Sequence, residues 1–393
     1  MNEMDSLKKD EIRVLQVNLD DAGGAFSLIF QVQKQLNKRV VFDYYSMANF
    51  RKKAIVDQIE SMGGRICEAR LRSNRLIGHF ILPFDFYKFL KENEYKIIHI
   101  HADTAWKLLL YSLPAKLGNA RKIIVHAHSS SISGDYRLLK LICHYIAKPF
   151  LPNVSTTLLS CSDMASKWMY PTKYLNKVIK IHNGVDANKY KFNDDIRKKE
   201  REKLGIKPNE ILIGTVGDFS YAKNPFILVD IFRILLNKMD NCKLIFVGDG
   251  PNRSQVEKYA NKYGIMDKVI FLGMRFDVNC IYSALDVFVM PSRFEGLPMS
   301  ALEAQANGLK CFLSDRISRE VKILDNCQFI DIHNAYSIAN SIYEYTKIYQ
   351  NDNLDGKEKN SVSRMDGEIE IQKSKYNYLC TAKELLEQYR FKY

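Results

Sequence analysis

Between residues 291 and 308, PSRFEGLPMSALEAQANG, two carboxylates stand out in an otherwise mild stretch: Glu295 and Glu303, with seven residues between them. Pro291, Gly296 and Pro298 mark a turn, and Pro298 suits the first position of a helix. Met299, Leu302, Ala306 and Leu309 then recur at roughly helical spacing, and Gly308 is a C-terminal stop. This pattern puts Glu295 in a loop and Glu303 more than one turn inside a helix. The run before it, Val287 to Met290, is continuous and apolar between Asp286 and Pro291, which reads as a buried strand. A loop at the carboxyl end of such a strand is where open parallel sheets bind ligands. The plain alternative is a capping glutamate followed by a surface glutamate.

Other residues could serve the same kind of chemistry. Lys223 sits in GDFSYAKN, just after the apparent strand ILIGTVG, where a cation can meet an anionic ligand. Gly23 and Gly24 follow the first apparent strand, a place where backbone amides can approach a phosphate, although most glycine pairs are simply turns. His126 and His128 close the strand KIIVHAH, and His99 and His101 alternate along KIIHIHA, a spacing that suits structural residues. The eight cysteines are scattered with no C-x-x-C pair, so they read as reduced packing residues of a cytosolic protein, not a disulfide or zinc framework.

The elements that must hold these residues alternate. IRVLQVN, VVFDYY, KIIHIHA, KIIVHAH and VIKIHNG, then ILIGTVGDF, KLIFVGDG, KVIFLG, VFVMP and KCFLSD, are strand candidates with helical stretches between most of them. Such alternation means parallel sheets with helices on both faces. At 393 residues two domains are expected. A polar stretch from 189 to 210 reads as a linker followed by a solvated helix, dividing a domain of residues 1–190 from one of residues 191–373. A second polar stretch, 351–368, precedes a final helix, within 374–393, that crosses back to the first domain. The expected architecture is two doubly wound domains facing a cleft. The N-terminus lacks the pattern of a signal peptide, and no stretch has the ~20 apolar residues of a membrane span. Residues 1–190 carry 28 Lys and Arg against 17 Asp and Glu, whereas the remainder is nearly balanced. A basic first half suits an anionic lipid surface or phosphorylated substrates; nucleic acid is disfavoured, since no zinc or RNA-binding aromatic pattern accompanies the charge. Arg65, Arg70, Arg72 and Arg75, beside the apolar LIGHFILPF, are the expected lipid-facing cluster.

From about Val17 to Leu386 the chain resembles the retaining glycosyltransferases of family 4, of the bacterial exopolysaccharide and capsule type. The Glu-x7-Glu in PSRFEGLPMSALEAQANGLKCFLSD carries the resemblance, with GDFSYAKNPF, FVGDGP, FLGMRFDV, HNGVD, VHAHSSS and DAGGAF in order around it. The resemblance implies the GT-B fold, two Rossmann-like domains, and transfer of a hexose or N-acetylhexosamine from a nucleoside-diphosphate sugar, UDP foremost, to a growing lipid-linked glycan. It implies that Glu295 orients the donor sugar, that Glu303 accepts hydrogen bonds from the ribose, and that Lys223 grips the diphosphate. It also implies that the amides of Gly296 and Leu297 point from the helix start, and that His128 lies near sugar and acceptor. Where the family has an arginine five residues before the lysine, this chain has Asp218, repulsive toward a diphosphate. Arg275 or Arg293 would have to compensate, Asp218 could turn into its own loop, or a cation could bridge; Gly248, Gly273 and Arg275 are expected around the base. No Asp-x-Asp occurs, and the family works without metal or other cofactor. The implied location is cytoplasmic, peripheral at the inner face of the membrane. Competing readings are an epimerase or hydrolase on the same fold, or a binding subunit with a degenerate donor site. A dinucleotide oxidoreductase is a poor fit, because no G-x-G-x-x-G follows a strand.

Overall fold

The computed structural model describes residues 12–21, 23–36, 39–47, 50, 52–69, 75–132, 134, 136–354, 364 and 366–391; the side chains of 75–77, 80 and 350–354 lie outside this description. Two parallel sheets organise the chain. The first contains β1 (Ile12–Val17), β2 (Val40–Ser46), β3 (Ile66–Glu68), β4 (Ile97–Ala102), β5 (Lys122–Ala127), β6 (Thr157–Ser160) and β7 (Ile179–Lys180), in the order β3-β2-β1-β4-β5-β6-β7. The second contains β8 (Ile211–Val216), β9 (Cys242–Val247), β10 (Val269–Phe271), β11 (Val287–Met290), β12 (Lys310–Ser314) and β13 (Cys327–Ile330), in the order β10-β9-β8-β11-β12-β13. Both are Rossmann-like, and each reverses its order beside its first strand, between β1 and β4 and between β8 and β11.

Helices cover both faces, which is why these strands read as unbroken β-branched and aromatic runs. All seven residues of β2 are buried, including Asp43. Its carboxylate takes hydrogen bonds from Arg13 at 2.9 Å, the Tyr95 hydroxyl at 2.6 Å and the Arg65 amide at 2.8 Å, so the buried charge is matched. Three strands escaped the sequence pattern: β3 is three residues long, β6 is a four-residue TLLS among serines and threonines, and β13 is CQFI with a glutamine in it.

The chain divides into a unit of residues 1–184 with 378–393 and a unit of residues 185–377. The division falls before residue 190 because the short helix Ala187–Tyr190 packs within the second unit. Its Tyr190 carbonyl accepts from Asn307 at 2.7 Å, and its ring meets Tyr282. The helix Asp194–Lys203, expected to be solvated, is instead pinned there. Arg197 and Arg201 clamp the buried Asp286 carboxylate and cap the carbonyls of Ala284 and Leu285. The last helix, Tyr378–Tyr389, packs on Gly23–Leu36 of the first unit, with Leu385 and Tyr389 buried and Glu384 bonded to His182 at 2.9 Å.

Of the expected lipid-facing arginines, Arg65 is turned to Asp43 and the Tyr95 hydroxyl. Arg70, Arg72 and the Arg75 side chain lie outside the described residues. Among the described residues no helix is long and apolar enough to cross a membrane.

Candidate active site

Two loops at the carboxyl ends of β8 and β11, on either side of the second sheet's switch point, build the site. The β8 loop runs through Gly217, Asp218 and Lys223 into the helix Pro225–Leu236; the β11 loop runs from Pro291 to the helix Met299–Ala306. They are laced together by backbone and side chain. The Arg293 amide donates to the Ala222 carbonyl at 2.7 Å, the Arg293 guanidinium to Asn224 Oδ1 at 2.7 Å, and Asn224 Nδ2 to the Pro291 carbonyl at 3.2 Å. Asn224 pays for this position with a left-handed backbone, φ 53°, tolerable for asparagine and followed at once by a proline that starts the helix.

This lacing brings Lys223 Nζ to 2.6 Å from Glu295 Oε1 across 72 residues of sequence. The lysine stem lies over Gly217, where an added Cβ would come within 3.2 Å of it. Burial works against the Lys223 charge, but the Glu295 carboxylate, helped by Asp218 and Glu303, holds the ammonium above its usual range. A pocket beside it is lined by Gly217, Asp218, Phe219, Lys223, Met290 and Ser292. Ser292, which the sequence pattern did not single out, is fully buried, and its hydroxyl has no hydrogen-bond partner among the described residues.

Glu303 lies on the helix behind this loop. Its Oε2 accepts from the Tyr282 hydroxyl at 2.9 Å, and the Tyr190 hydroxyl is bonded to it as well. Burial pushes the carboxyl above its usual range, opposed by those two hydrogen bonds. Neither tyrosine was legible as a site residue, since one sits in the domain linker and the other in an unremarkable helix. Pro298 is the N-cap in extended conformation and Met299 begins the helix, so the buried Gly296 and Leu297 precede the first turn and are not part of it. Gly308 ends the helix as expected, at φ 70°.

Asp218 turns into its own loop: Oδ1 accepts from the Ser220 hydroxyl at 2.7 Å and from the Ser220 amide at 3.3 Å. The two arginines expected to neutralise it are engaged elsewhere. Arg293 bonds Asn224 and lies over the Tyr221 ring, 4.6 Å from its centre. Arg275 forks onto Asp277 at 2.6 and 2.7 Å and reaches the buried Glu200 at 3.0 Å. Gly248 and Gly273 are joined by a 2.8 Å backbone bond, and a Cβ on Gly248 would strike the Gly217 carbonyl at 2.0 Å.

In the first unit, Gly23 opens its helix at φ 82° whereas Gly24 needs no such freedom; both are exposed. The four histidines of β4, β5 and the residue after β5 form a bonded network whose proton positions follow from its ends. Gln16 Oε1 can only accept, so His101 Nε2, 2.8 Å away, carries the proton. His101 Nδ1 therefore accepts, and His128 Nε2–H donates to it at 2.9 Å. The Tyr389 hydroxyl accepts from Gln16 Nε2 at 3.2 Å and gives its proton to His99 Nδ1 at 2.9 Å. His99 Nε2–H then donates to His126 Nδ1 at 3.2 Å, which leaves the buried His126 Nε2 without a partner among the described residues. All four rings are neutral: burial lowers His99, His101 and His126 well below the usual range and His128 to about 4. His128 Nδ1 is thus an unprotonated acceptor, whereas His126, its sequence neighbour, is an interior residue. His99, His101 and His126 bring ring nitrogens within 4.8 Å of one another, the group of described residues whose donors could share a cation. A cation there would displace hydrogen bonds that already occupy five of the six nitrogens.

Comparison with known proteins shows what this chain is similar to. Residues 196–353 match the model of the glycosyl transferases group 1. EpsF of Bacillus subtilis (strain 168), named a glycosyltransferase, is 27% identical over 328 residues, 81% of this chain and 82% of its own. The UDP-Gal:alpha-D-GlcNAc-diphosphoundecaprenol alpha-1,3-galactosyltransferase of Escherichia coli is 28% identical over 236 residues, 58% of this chain and 60% of its own. The crystal structure of Anabaena HepE in complex with UDP-glucose superposes with a TM-score of 0.76 at 17% identity, over 96% of this chain and 98% of that one. The match to EpsF is too long to be confined to either unit, and the two Rossmann-like sheets are those of the GT-B architecture: the chain is a glycosyltransferase similar to those of group 1 and to enzymes of bacterial polysaccharide synthesis.

Proposed function

We propose that this enzyme moves a hexose or N-acetylhexosamine from a UDP-sugar to a growing, lipid-linked surface glycan, with retention of configuration and without a metal. The observation that carries the reading is the Lys223–Glu295 pair, held at 2.6 Å beside a pocket at the sheet's switch point. A diphosphate leaving group needs a cation when its bond to the sugar breaks, and Lys223 is cationic and preset. Glu295, its partner, is placed to take the sugar hydroxyls, and Glu303 takes the ribose in place of one tyrosine hydroxyl. The glycosidic C–O electrons pass to the diphosphate oxygen, the acceptor oxygen bonds the same carbon from the same face, and its proton goes to the departing phosphate. His128, neutral with Nδ1 open to a donor, serves the sugar or acceptor hydroxyl on this reading. The names of the E. coli galactosyltransferase and of the HepE complex support a UDP-sugar, and the former supports a diphosphate-lipid acceptor. Such an acceptor places the enzyme at the inner face of the membrane.

The test is a donor screen by mass spectrometry, using purified protein, membrane extract and UDP- and GDP-sugars. Acceptor-dependent glycosylated product with release of UDP, and an anomeric configuration matching the donor by NMR, is the expected result. Sugar release indifferent to acceptor would overturn the transfer reading in favour of hydrolysis.

A further inference from the structure

The helix Arg137–Ala147 is built inside out. Leu138, Leu139, Ile142, Tyr145 and Ile146, spaced to form one stripe, are exposed, Leu138 at 72% and Ile146 at 64%, and the stripe continues into Phe150. The residues turned inward are His144 and Ala147. The support beneath is firm. His144 Nδ1 accepts from the Ala105 amide at 3.0 Å, its Nε2–H donates to the Trp168 carbonyl at 3.1 Å, and its ring stacks on Trp168 with centroids 3.9 Å apart. Lys148 donates to the Lys167 carbonyl at 2.7 Å. The neighbouring helix Ala105–Leu117, packed against this one, exposes Leu113 and Leu117 as well. A surface of this apolar extent marks an interaction site.

We propose that this helix and the turn through Phe150 seat the first unit on an anionic lipid bilayer. Charge selects the occupant. Between residues 104 and 162 there are seven Lys and Arg and a single acid, Asp135. Arg137 and Lys140 belong to the helix, Lys148 follows it, and Lys116 lies on the adjoining one, so basic groups border the apolar stripe. An amphipathic helix of this kind lies in the headgroup layer, its side chains reaching the acyl boundary and its lysines reaching outward. Eleven residues span only about 16 Å of helix, too short to cross the bilayer. A second copy of the chain is the poorer partner, because a two-fold contact would set two like-charged patches against each other. The inference extends the lipid-linked acceptor of the proposed function, yet it is tested without donor or acceptor.

The experiment is flotation of the full chain with vesicles of phosphatidylcholine, with and without phosphatidylglycerol, at low and high salt. The wild type should float with the anionic vesicles and less so at high salt. The variant Leu138→Ser/Leu139→Ser/Ile142→Ser/Ile146→Ser alters only exposed side chains and should lose at least about tenfold in partitioning. Circular dichroism and UDP titration of the same variant should be unchanged, which separates loss of docking from loss of fold. Unchanged flotation of the variant, or wild-type binding indifferent to anionic lipid, overturns the proposal. So does a wild-type dimer in sedimentation that the variant abolishes while neither protein binds vesicles. Failure of UDP binding in the wild type would count against the transferase reading, leaving the flotation result to stand separately.

Discussion

At the residue scale, the two glutamates that open the sequence pattern have unlike surroundings, and their substitutions should behave differently. Glu295→Gln removes charge facing the proposed sugar and should abolish transfer while UDP affinity changes little. Glu303→Ala removes an acceptor proposed for the ribose and should weaken UDP by ~1.5–3 kcal/mol. Tyr282 retains the Ser300 carbonyl, 3.1 Å away, as an alternative acceptor, so the affinity loss can be read as lost binding. Calorimetric titration with UDP beside a transfer assay checks both; equal losses of nucleotide affinity would contradict the assigned roles. Asp218 tests the departure from the family pattern. With its carboxylate already bonded to Ser220, Asp218→Asn should alter donor affinity little, and EDTA should leave activity unchanged. Activity that collapses with chelator and returns with magnesium would establish a bridging cation instead. Glu295, Glu303 and Lys223 were legible because strand, turn and helix signals placed them at a carboxyl edge. Tyr190, Tyr282 and Ser292 were not, because nothing local distinguishes them from ordinary packing residues.

At the scale of elements, the last helix does more than end the chain. Tyr389 joins Gln16 of β1 to His99 of β4, and through them sets which nitrogen of each strand histidine carries a proton. Tyr389→Phe leaves a buried amide and an imidazole short of a partner, at a cost of roughly 1–3 kcal/mol. Denaturant unfolding should show that loss, while UDP affinity, a property assigned to the second unit, should be preserved. An unchanged midpoint would mean the network is not held from this end. The Tyr- and Leu-rich stretch within 374–393 reads as a final helix, but nothing local in it marks this hydroxyl. The helix Asp194–Lys203 shows the same limit. Its composition suggests a solvated helix, and only the buried Asp286 explains why two of its arginines point inward.

For the whole molecule, the neutral histidines bind stability to pH. Their folded pKa values lie below the ordinary 6.5, so as pH falls through that value the unfolded chain takes up protons that the folded chain refuses. Their contribution is complete above about pH 6.5 and declines as pH falls toward 4, where His128 also protonates. Thermal melts should therefore drop across this interval. His126→Asn, which keeps an acceptor near the Nδ1 position but cannot titrate, should give a shallower dependence; a slope identical to wild type would remove the histidines as its cause.

The sequence by itself determined the fold class, because parallel strands covered on both faces must be continuous and apolar, and the helices between them periodic. It also placed the Lys223 and Glu295 loops after the carboxyl ends of strands, since a continuous apolar run ended by a turn marks that edge. Only the tertiary structure decided which charges meet. The Lys223–Glu295 pair, the turn of Asp218 toward Ser220 and the commitment of Arg275 to Asp277 and Glu200 depend on loop geometry and on side chains from separate elements. The outward stripe from Leu138 to Phe150 follows the same physics. Local periodicity announces an apolar face, but burial depends on whether another element arrives to cover it, and among the described residues none does.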